Sequence, residues 1–166
     1  GGSFVNPASP TTVFNGVAGT TYTLTWTITN GVCASSADNV DISLLQSPTT
    51  SAAGPDQNFC GTGVTLAANT PGVGTGAWTF APSNVGTGGS FGNAALFNST
   101  FTGTAGQTYI LRWTITNGIC TASTDDVQIR LDQTPTGSLA GPEQTGPTAI
   151  CGTSPTPAAH TPAIGT

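Results

Sequence analysis

Charged side chains are scarce in this sequence. They make up 5% of its 166 residues, and the only basic ones are Arg112 and Arg130. Nucleic acids and anionic membrane surfaces are bound through clustered lysine and arginine, so we expect neither as a partner. The absence of lysine also excludes the Lys–Asn isopeptide bonds that lock some surface adhesins. No apolar run approaches the length of a membrane-spanning helix, so we predict no membrane insertion.

Residues for catalysis are equally few. His160 is the only histidine, and no serine or cysteine is accompanied by a recognisable base. No group of cysteines and histidines has zinc spacing. We therefore predict that the chain is not an enzyme and needs no cofactor. Methionine is absent and no signal peptide is present, which indicates a mature or excised piece of a protein.

A long internal repeat dominates the sequence. The stretch YTLTWTITNGVC returns later as YILRWTITNGIC, which places Trp26 and Trp113 87 residues apart. AGPDQ at Ala53 and AGPEQ at Ala140 have the same separation. A period of this length indicates an array of similar modules.

The repeat divides the chain into three parts. We interpret residues 1–47 as the C-terminal half of one Ig-like module, 48–133 as a complete module, and 134–166 as the N-terminal part of a further one. Within 48–133, seven short segments have strand character and none has helical periodicity. The expected fold is all-β, a tandem array of antiparallel Ig-like β-sandwiches. Asn117 and Gly118 predict a type I′ turn between the last two strands.

Large apolar side chains alternate along both copies of the longest strand, which predicts that this face lies between two sheets. The AGQTY segment resembles the tyrosine corner of Ig-like sandwiches, in which the tyrosine hydroxyl bonds back to the connecting loop. The predicted core residues are Tyr22, Trp26, Val64, Leu66, Trp78, Tyr109, Leu111 and Trp113.

The opposite face of that strand carries a row of threonines. Such a row suits an ice- or sugar-binding array, but threonine is also a good strand former on a solvated face. The second copy has Ile110 and Arg112 where the first has Thr23 and Thr25. A binding lattice would not lose half of its members in the next repeat, so we favour the solvated face.

Carboxylates recur near the start of the return strand. Asp38 and Asp41 in the first copy, and Asp125 and Asp126 in the second, are candidate Ca²⁺ ligands. None of these loops has the spacing of an EF-hand, so we favour solvated turn residues and predict no metal site.

The ordered motifs AGPDQNFCGTGVTLAANTP and GTTYTLTWTITNGVCASSADNV resemble the Ig-like/PKD-like repeats of very large surface adhesins of gliding Bacteroidota. Those adhesins are exported by the type IX secretion system. The resemblance implies a non-catalytic structural repeat of an extracellular, cell-surface adhesin or filament, used in attachment or gliding motility. Expected partners are neighbouring modules, identical chains in a filament, or a surface glycan or protein ligand.

Two alternative functions stay open. One is an accessory carbohydrate-binding module of a secreted hydrolase, which an exposed aromatic row would favour. The other is a pilus-like subunit that assembles by strand exchange, with residues 134–166 completing residues 1–47 of another molecule.

Four cysteines favour an oxidising, extracellular setting, and all are candidates for disulfides: Cys33, Cys60, Cys120 and Cys151. Cys60–Cys120 is the simplest pairing because each module contributes one cysteine of each kind. Ig topology, however, puts these two at opposite ends of the sandwich. We therefore hypothesise that Cys60 pairs with the hairpin cysteine of the following module, with Cys60–Cys120 as the second choice.

Overall fold

The computed structural model describes residues 1–143, 152 and 156–165, and over these residues the chain contains only strands and connections. No helix in this part of the chain has the length and hydropathy to cross a membrane. The strands are β1 (Ser3–Phe4), β2 (Phe14–Asn15), β3 (Thr20–Ile28), β4 (Ser36–Leu44), β5 (Gln57–Cys60), β6 (Gly63–Thr65), β7 (Thr75–Phe80), β8 (Ser90–Phe91), β9 (Thr100–Thr102), β10 (Gln107–Thr116) and β11 (Ser123–Asp132).

Strands β5 to β11 form a sandwich of two sheets. One sheet has the order β5-β11-β10-β7 and the other has the order β6-β9-β8. Neighbouring strands are antiparallel, except that β5 runs parallel to β11 along the edge. The all-β sandwich predicted from the alternation is confirmed, and each of the seven predicted strand segments overlaps one of these strands.

The core of this sandwich takes side chains from both sheets. Trp78 and Trp113 are packed with their ring centroids 5.2 Å apart, and Phe101 meets Tyr109 edge-on at 5.0 Å. Six predicted core residues are buried as expected, because the two sheets cover them from both sides: Val64, Leu66, Trp78, Tyr109, Leu111 and Trp113.

Residues 1–47 contain the same long hairpin without the same cover. Among the described residues, strands β3 and β4 pair only with each other, and the short β1–β2 pair lies beside them. Phe14 of β2 packs its ring 4.9 Å from that of Tyr22, which leaves Tyr22 half-buried. The prediction that Trp26 is a core residue is wrong, because 41% of it is exposed while Trp113 at the equivalent position is 0% exposed.

The predicted tyrosine corner is present. The Tyr109 hydroxyl accepts a hydrogen bond from the Thr104 N–H at 2.8 Å and donates one to the Thr87 carbonyl at 2.6 Å. In the first copy, the Tyr22 hydroxyl accepts from the Val17 N–H at 2.9 Å. In both copies this hydroxyl therefore ties the preceding loop to the long strand.

The connection between β10 and β11 differs from the predicted turn. It spans residues 117–122, and only Gly118 in it has a positive φ, of 56°. The Cys120 N–H donates to the Asn117 carbonyl at 3.1 Å, so Asn117 begins a turn instead of occupying its centre. The type I′ prediction is wrong. The first copy has the same turn, with Gly31 at a φ of 55° and the Cys33 N–H bonded to the Asn30 carbonyl at 3.1 Å, so the turn follows the local sequence that the two copies share.

Close packing at Gly76 generates a stability prediction. A Cβ at Gly76 would lie 2.1 Å from Cζ2 of Trp113, whereas a Cβ at Gly63 would meet nothing nearer than 3.9 Å. Overpacking of a filled core costs about 1–3 kcal/mol. We expect Gly76→Ala to lower the free energy of unfolding by about that amount, and Gly63→Ala to change it by less than about 0.5 kcal/mol, measured by urea denaturation. Equal effects of the two substitutions would contradict the packing described for Trp113.

The two arginines generate a proteolysis prediction. Trypsin cleaves after lysine or arginine, and Arg112 and Arg130 both lie in strands paired on each side. We expect the folded chain to resist trypsin while the urea-unfolded chain is cut at both sites. Rapid native cleavage after Arg112, seen by mass spectrometry, would show that β10 is not stably paired.

Candidate functional site

The most specific polar site in the described chain is a joint, which we define as linker residues 45–53 together with the β10–β11 hairpin, residues 117–122. The Gln46 carbonyl accepts from the Asn117 side-chain amide at 2.8 Å and from the Cys120 thiol at 3.3 Å. Leu45 packs against Gly118, where an added Cβ would lie 2.5 Å from the leucine Cδ1. The hairpin of the complete module therefore rests on the chain that leaves β4.

The linker continues along the complete module and is bonded to the start of β11. The Ser51 N–H donates to Ser123 Oγ at 2.8 Å, and the Ala53 N–H donates to a carboxylate oxygen of Asp125 at 2.7 Å. Ser51 is itself buried. These bonds hold the backbone of the linker against the module that follows it.

Asn69 fixes the other side of the linker. Its side-chain amide donates to the Thr50 carbonyl, and its side-chain oxygen accepts from the Ala52 N–H, both at 2.9 Å. One side chain thus bonds to two linker residues and restrains the linker backbone.

The same contacts recur at the second boundary of the chain. Thr49 donates its N–H to the Val73 carbonyl at 3.0 Å and accepts the Val73 N–H on Oγ1 at 2.8 Å. Thr136, which is 87 residues later, does the same with Ile164 at 3.1 Å and 2.9 Å. The contacts of this threonine are therefore the same at the two boundaries.

The glycine that precedes the long hairpin makes the same contacts in both copies. The Gly19 N–H bonds to the Leu44 carbonyl and the Gly106 N–H bonds to the Leu131 carbonyl, both at 2.5 Å. Gln46 packs over the first glycine and Gln133 over the second, and each glutamine Cγ is 3.2 Å from the place of an added Cβ. The surface on which a hairpin rests at Gln46 thus has a counterpart at Gln133.

The candidate calcium ligands are used in other ways. Asp125 accepts from the linker, and Asp126 forms a two-pronged ion pair with Arg112 at 2.7 Å and 2.8 Å. Asp41 accepts from the Thr23 hydroxyl at 2.6 Å, and Asp38 lies opposite Trp26 in the β3–β4 ladder. Among the described residues, no three His, Cys, Asp or Glu side chains are grouped as a metal site would require.

The threonine row of β3 is engaged in bonds across the hairpin. Thr25 donates to the Asn39 side chain at 2.8 Å, and Thr21 and Ser43 share a hydrogen bond of 2.8 Å. Hydroxyls that are paired with the neighbouring strand do not form an open lattice for a ligand. This pairing favours the interpretation of the row as a solvated strand face.

The cysteines are not brought together within the complete module. Cys33, Cys60 and Cys120 are free thiols, and Cys151 lies outside the described residues. Cys60 is the ladder partner of Asp132 at the end of β11, whereas Cys120 precedes the start of that strand. Nine residue steps of about 3.3 Å separate these ends by about 30 Å, so the Cys60–Cys120 pairing is not made.

Sequence reasoning missed the residues that build the joint. Thr49, Gln46 and Asn69 are polar linker or loop residues without a catalytic pattern. The available signal was the recurrence of the first two as Thr136 and Gln133 at the repeat spacing of 87 residues.

The bridging role of Asn69 generates a prediction about the linker. We expect Asn69→Ala to raise the amide hydrogen-exchange rate of residues 50–52 by about ten-fold or more, since loss of hydrogen bonds worth about 1.4 kcal/mol changes an opening equilibrium by that factor. Asn39→Ala removes one exposed side-chain bond on β4 and should leave residues 50–52 unchanged. Equal exchange in both variants would contradict a fixed linker.

The Arg112–Asp126 pair generates a pH prediction. Hydrogen bonding to Arg112 lowers the pKa of Asp126 below its ordinary value of 3.8, although partial burial opposes this. A lowered folded-state pKa means that the pair stabilises the fold above pH 3.8 and that this contribution disappears as the pH falls further. We expect the melting temperature of Asp126→Asn to lie slightly below that of the parent at pH 7 and to converge with it in acid.

Arg112→Gln removes the other partner and is the matched control. It should reproduce the small loss at neutral pH, because exposed pairs are worth at most about 1 kcal/mol. A difference between parent and Asp126→Asn that persists unchanged at low pH would contradict the ion-pair assignment.

Comparison with known proteins identifies no family. No protein-family model matches the chain, and no curated protein matches its sequence.

Proposed function

We propose that this chain is a non-catalytic structural repeat of an extracellular adhesin or filament that serves attachment or gliding at a cell surface. The observation that carries the proposal is the joint. Its linker is bonded to the module that follows, and the Thr49–Val73 pattern recurs at Thr136–Ile164. Regular joints are what a load-bearing rod of repeats requires.

The physical reason lies in linker stiffness. A free Gly/Ser-rich linker behaves as a random coil and lets two domains reorient, so the length of a freely jointed array grows only as about the square root of the number of modules. Linker residues 49–53 instead have backbone groups fixed by Ser123, Asp125 and Asn69. Modules joined in this way keep their orientation, and the array lengthens in proportion to the number of modules.

The cell-surface assignment is also part of the proposal. It is supported by the resemblance of the AGPDQ, CGT and WTITNG-C motifs to repeats of adhesins that the type IX system secretes. The scarcity of charge and the absence of lysine fit an extracellular protein with few tryptic sites. The partners we propose are neighbouring modules of the same repeat and, through them, a surface glycan or protein ligand.

A carbohydrate-binding function has one observation in its favour. Trp26 is partly exposed in a shallow groove that Phe4, Pro7 and Asp38 also line. An exposed tryptophan beside polar groups can stack on a sugar ring. The equivalent Trp113 is a core residue, however, so we assign the exposure of Trp26 to an uncovered core face.

Array length tests the structural function. One or three extra copies of residues 48–134 are inserted after Thr134 of the full chain, which preserves the repeat order, and maximum dimensions are measured by small-angle X-ray scattering under reducing conditions. We expect each copy to add a constant increment of about 33 Å or more, the length of a ten-residue strand at about 3.3 Å per residue.

The control carries Asn69→Ala and Ser123→Ala in every copy, which removes the side-chain bonds to Thr50, Ser51 and Ala52 without touching the core. Its increments should shrink as copies are added. Square-root growth in the unmodified arrays would reject the rod, and saturable binding of soluble glycans that Trp26→Ala abolishes would favour the carbohydrate-binding alternative.

A further inference from the structure

We infer that successive modules are clasped by a disulfide between Cys60 of one module and the hairpin cysteine of the module that follows it. This inference rests on the proposed function, because it requires modules stacked end to end. Its partner is a second copy of the same repeat, and it assigns a role to thiols that have no partner within the described chain.

The hairpin thiol lies at the joint. Cys120 Sγ lies 3.3 Å from the Gln46 carbonyl, so the hairpin cysteine marks the point where a module rests on its predecessor. Cys33 occupies the same turn in the first copy, with its N–H donated to Asn30 at 3.1 Å. The joint-facing position of the hairpin is thus a cysteine in both copies.

The next hairpin would rest on the surface around Gln133. Gln133 is the counterpart of Gln46, and it has the same packing over its glycine and the same Thr136 contacts after it. A following module that docks as the complete module docks on Gln46 places its hairpin thiol at the Gln133 carbonyl.

Cys60 lies next to Gln133 on that surface. Cys60 is the ladder partner of Asp132, the residue immediately before Gln133, and the Gly61 N–H bonds to the Asp132 carbonyl at 2.9 Å. Neighbouring strands lie about 4.8 Å apart, and a disulfide needs Cα atoms about 4.4–6.8 Å apart. Cys60 is exposed, so its thiol is accessible at the place where the incoming hairpin thiol arrives.

The first joint of this chain explains why Cys120 has no partner there. The residue that corresponds to Asp132 is Leu45, and in the described chain β4 pairs only with β3. No strand carrying a counterpart of Cys60 lies beside Leu45 within the described residues. The joint therefore holds the hairpin cysteine, Cys120, and the opposite end of the complete module, where β11 ends, holds Cys60.

The oxidation balances with a disulfide oxidant. One cysteine thiolate attacks oxidised glutathione and releases one glutathione thiol. The second cysteine thiolate then displaces the other glutathione, so that one S–S bond forms in the protein. Two glutathione thiols carry away the two electrons and the two protons.

The test uses the full chain with one extra copy of residues 48–134 inserted after Thr134. This array contains a complete module followed by another complete module, so Cys60 of the first faces the hairpin cysteine of the second. After equilibration in a glutathione redox buffer at low protein concentration, we expect the intact mass to fall by two hydrogen atoms. Peptide mapping should locate the bond between Cys60 of the first copy and Cys120 of the second.

Matched variants isolate the bond. Cys60→Ser in the first copy should abolish the mass loss, whereas Cys60→Ser in the second copy should leave it intact. Cys120→Ser should show the reverse order, with an effect only in the second copy. The parent chain, which has no complete module after Cys60, should keep Cys33, Cys60 and Cys120 as free thiols.

Two outcomes overturn the inference in distinguishable ways. An array that lengthens as a rod under reducing conditions but keeps all its thiols, or that joins Cys60 to Cys120 of the same copy, would overturn the clasp alone. An array that neither lengthens as a rod nor forms the bond would overturn the clasp together with the structural function.

Discussion

Removal of one row of side chains from water is the constraint on which the rest of this structure depends. Tyr109, Leu111, Trp113 and Ile115 share one face of β10, and all four are fully buried. Their area is large enough that burial between two sheets is the dominant favourable term in the fold. Strand β7 has to keep a glycine at position 76, because Trp113 fills the space that a side chain would need.

The apolar face of the long hairpin, residues 20–44, is covered only in part. The hairpin has the same strand pairing and the same tyrosine hydroxyl contact as the complete copy. Its apolar face nevertheless stays largely accessible at Trp26 and Ile28. Backbone pairing and local motifs thus form independently of core burial, whereas burial needs side chains from strands distant in the sequence.

Several polar side chains of the chain are bonded to the linker or to a neighbouring strand. Asp125 and Asn69 fix the linker, the β3 threonines pair across the hairpin, and Asp126 holds Arg112. In a sequence with so few charges, these bonds satisfy groups that would otherwise be left exposed or unpaired. A chain that uses its polar side chains to fix strands and joints has the character of a scaffold, which is the basis of the proposed structural function.

The sequence by itself determined the all-β class, the seven strand segments of the complete module and most of its core, because strand alternation and burial are coupled residue by residue. It also determined the Tyr109 corner, since that contact spans only five residues. Only the tertiary structure decided the exposure of Trp26, which differs from that of Trp113 although the two strands have nearly the same sequence. Burial of this face depends on a covering sheet from segments far away in the chain, and no local pattern encodes which distant segment will be present.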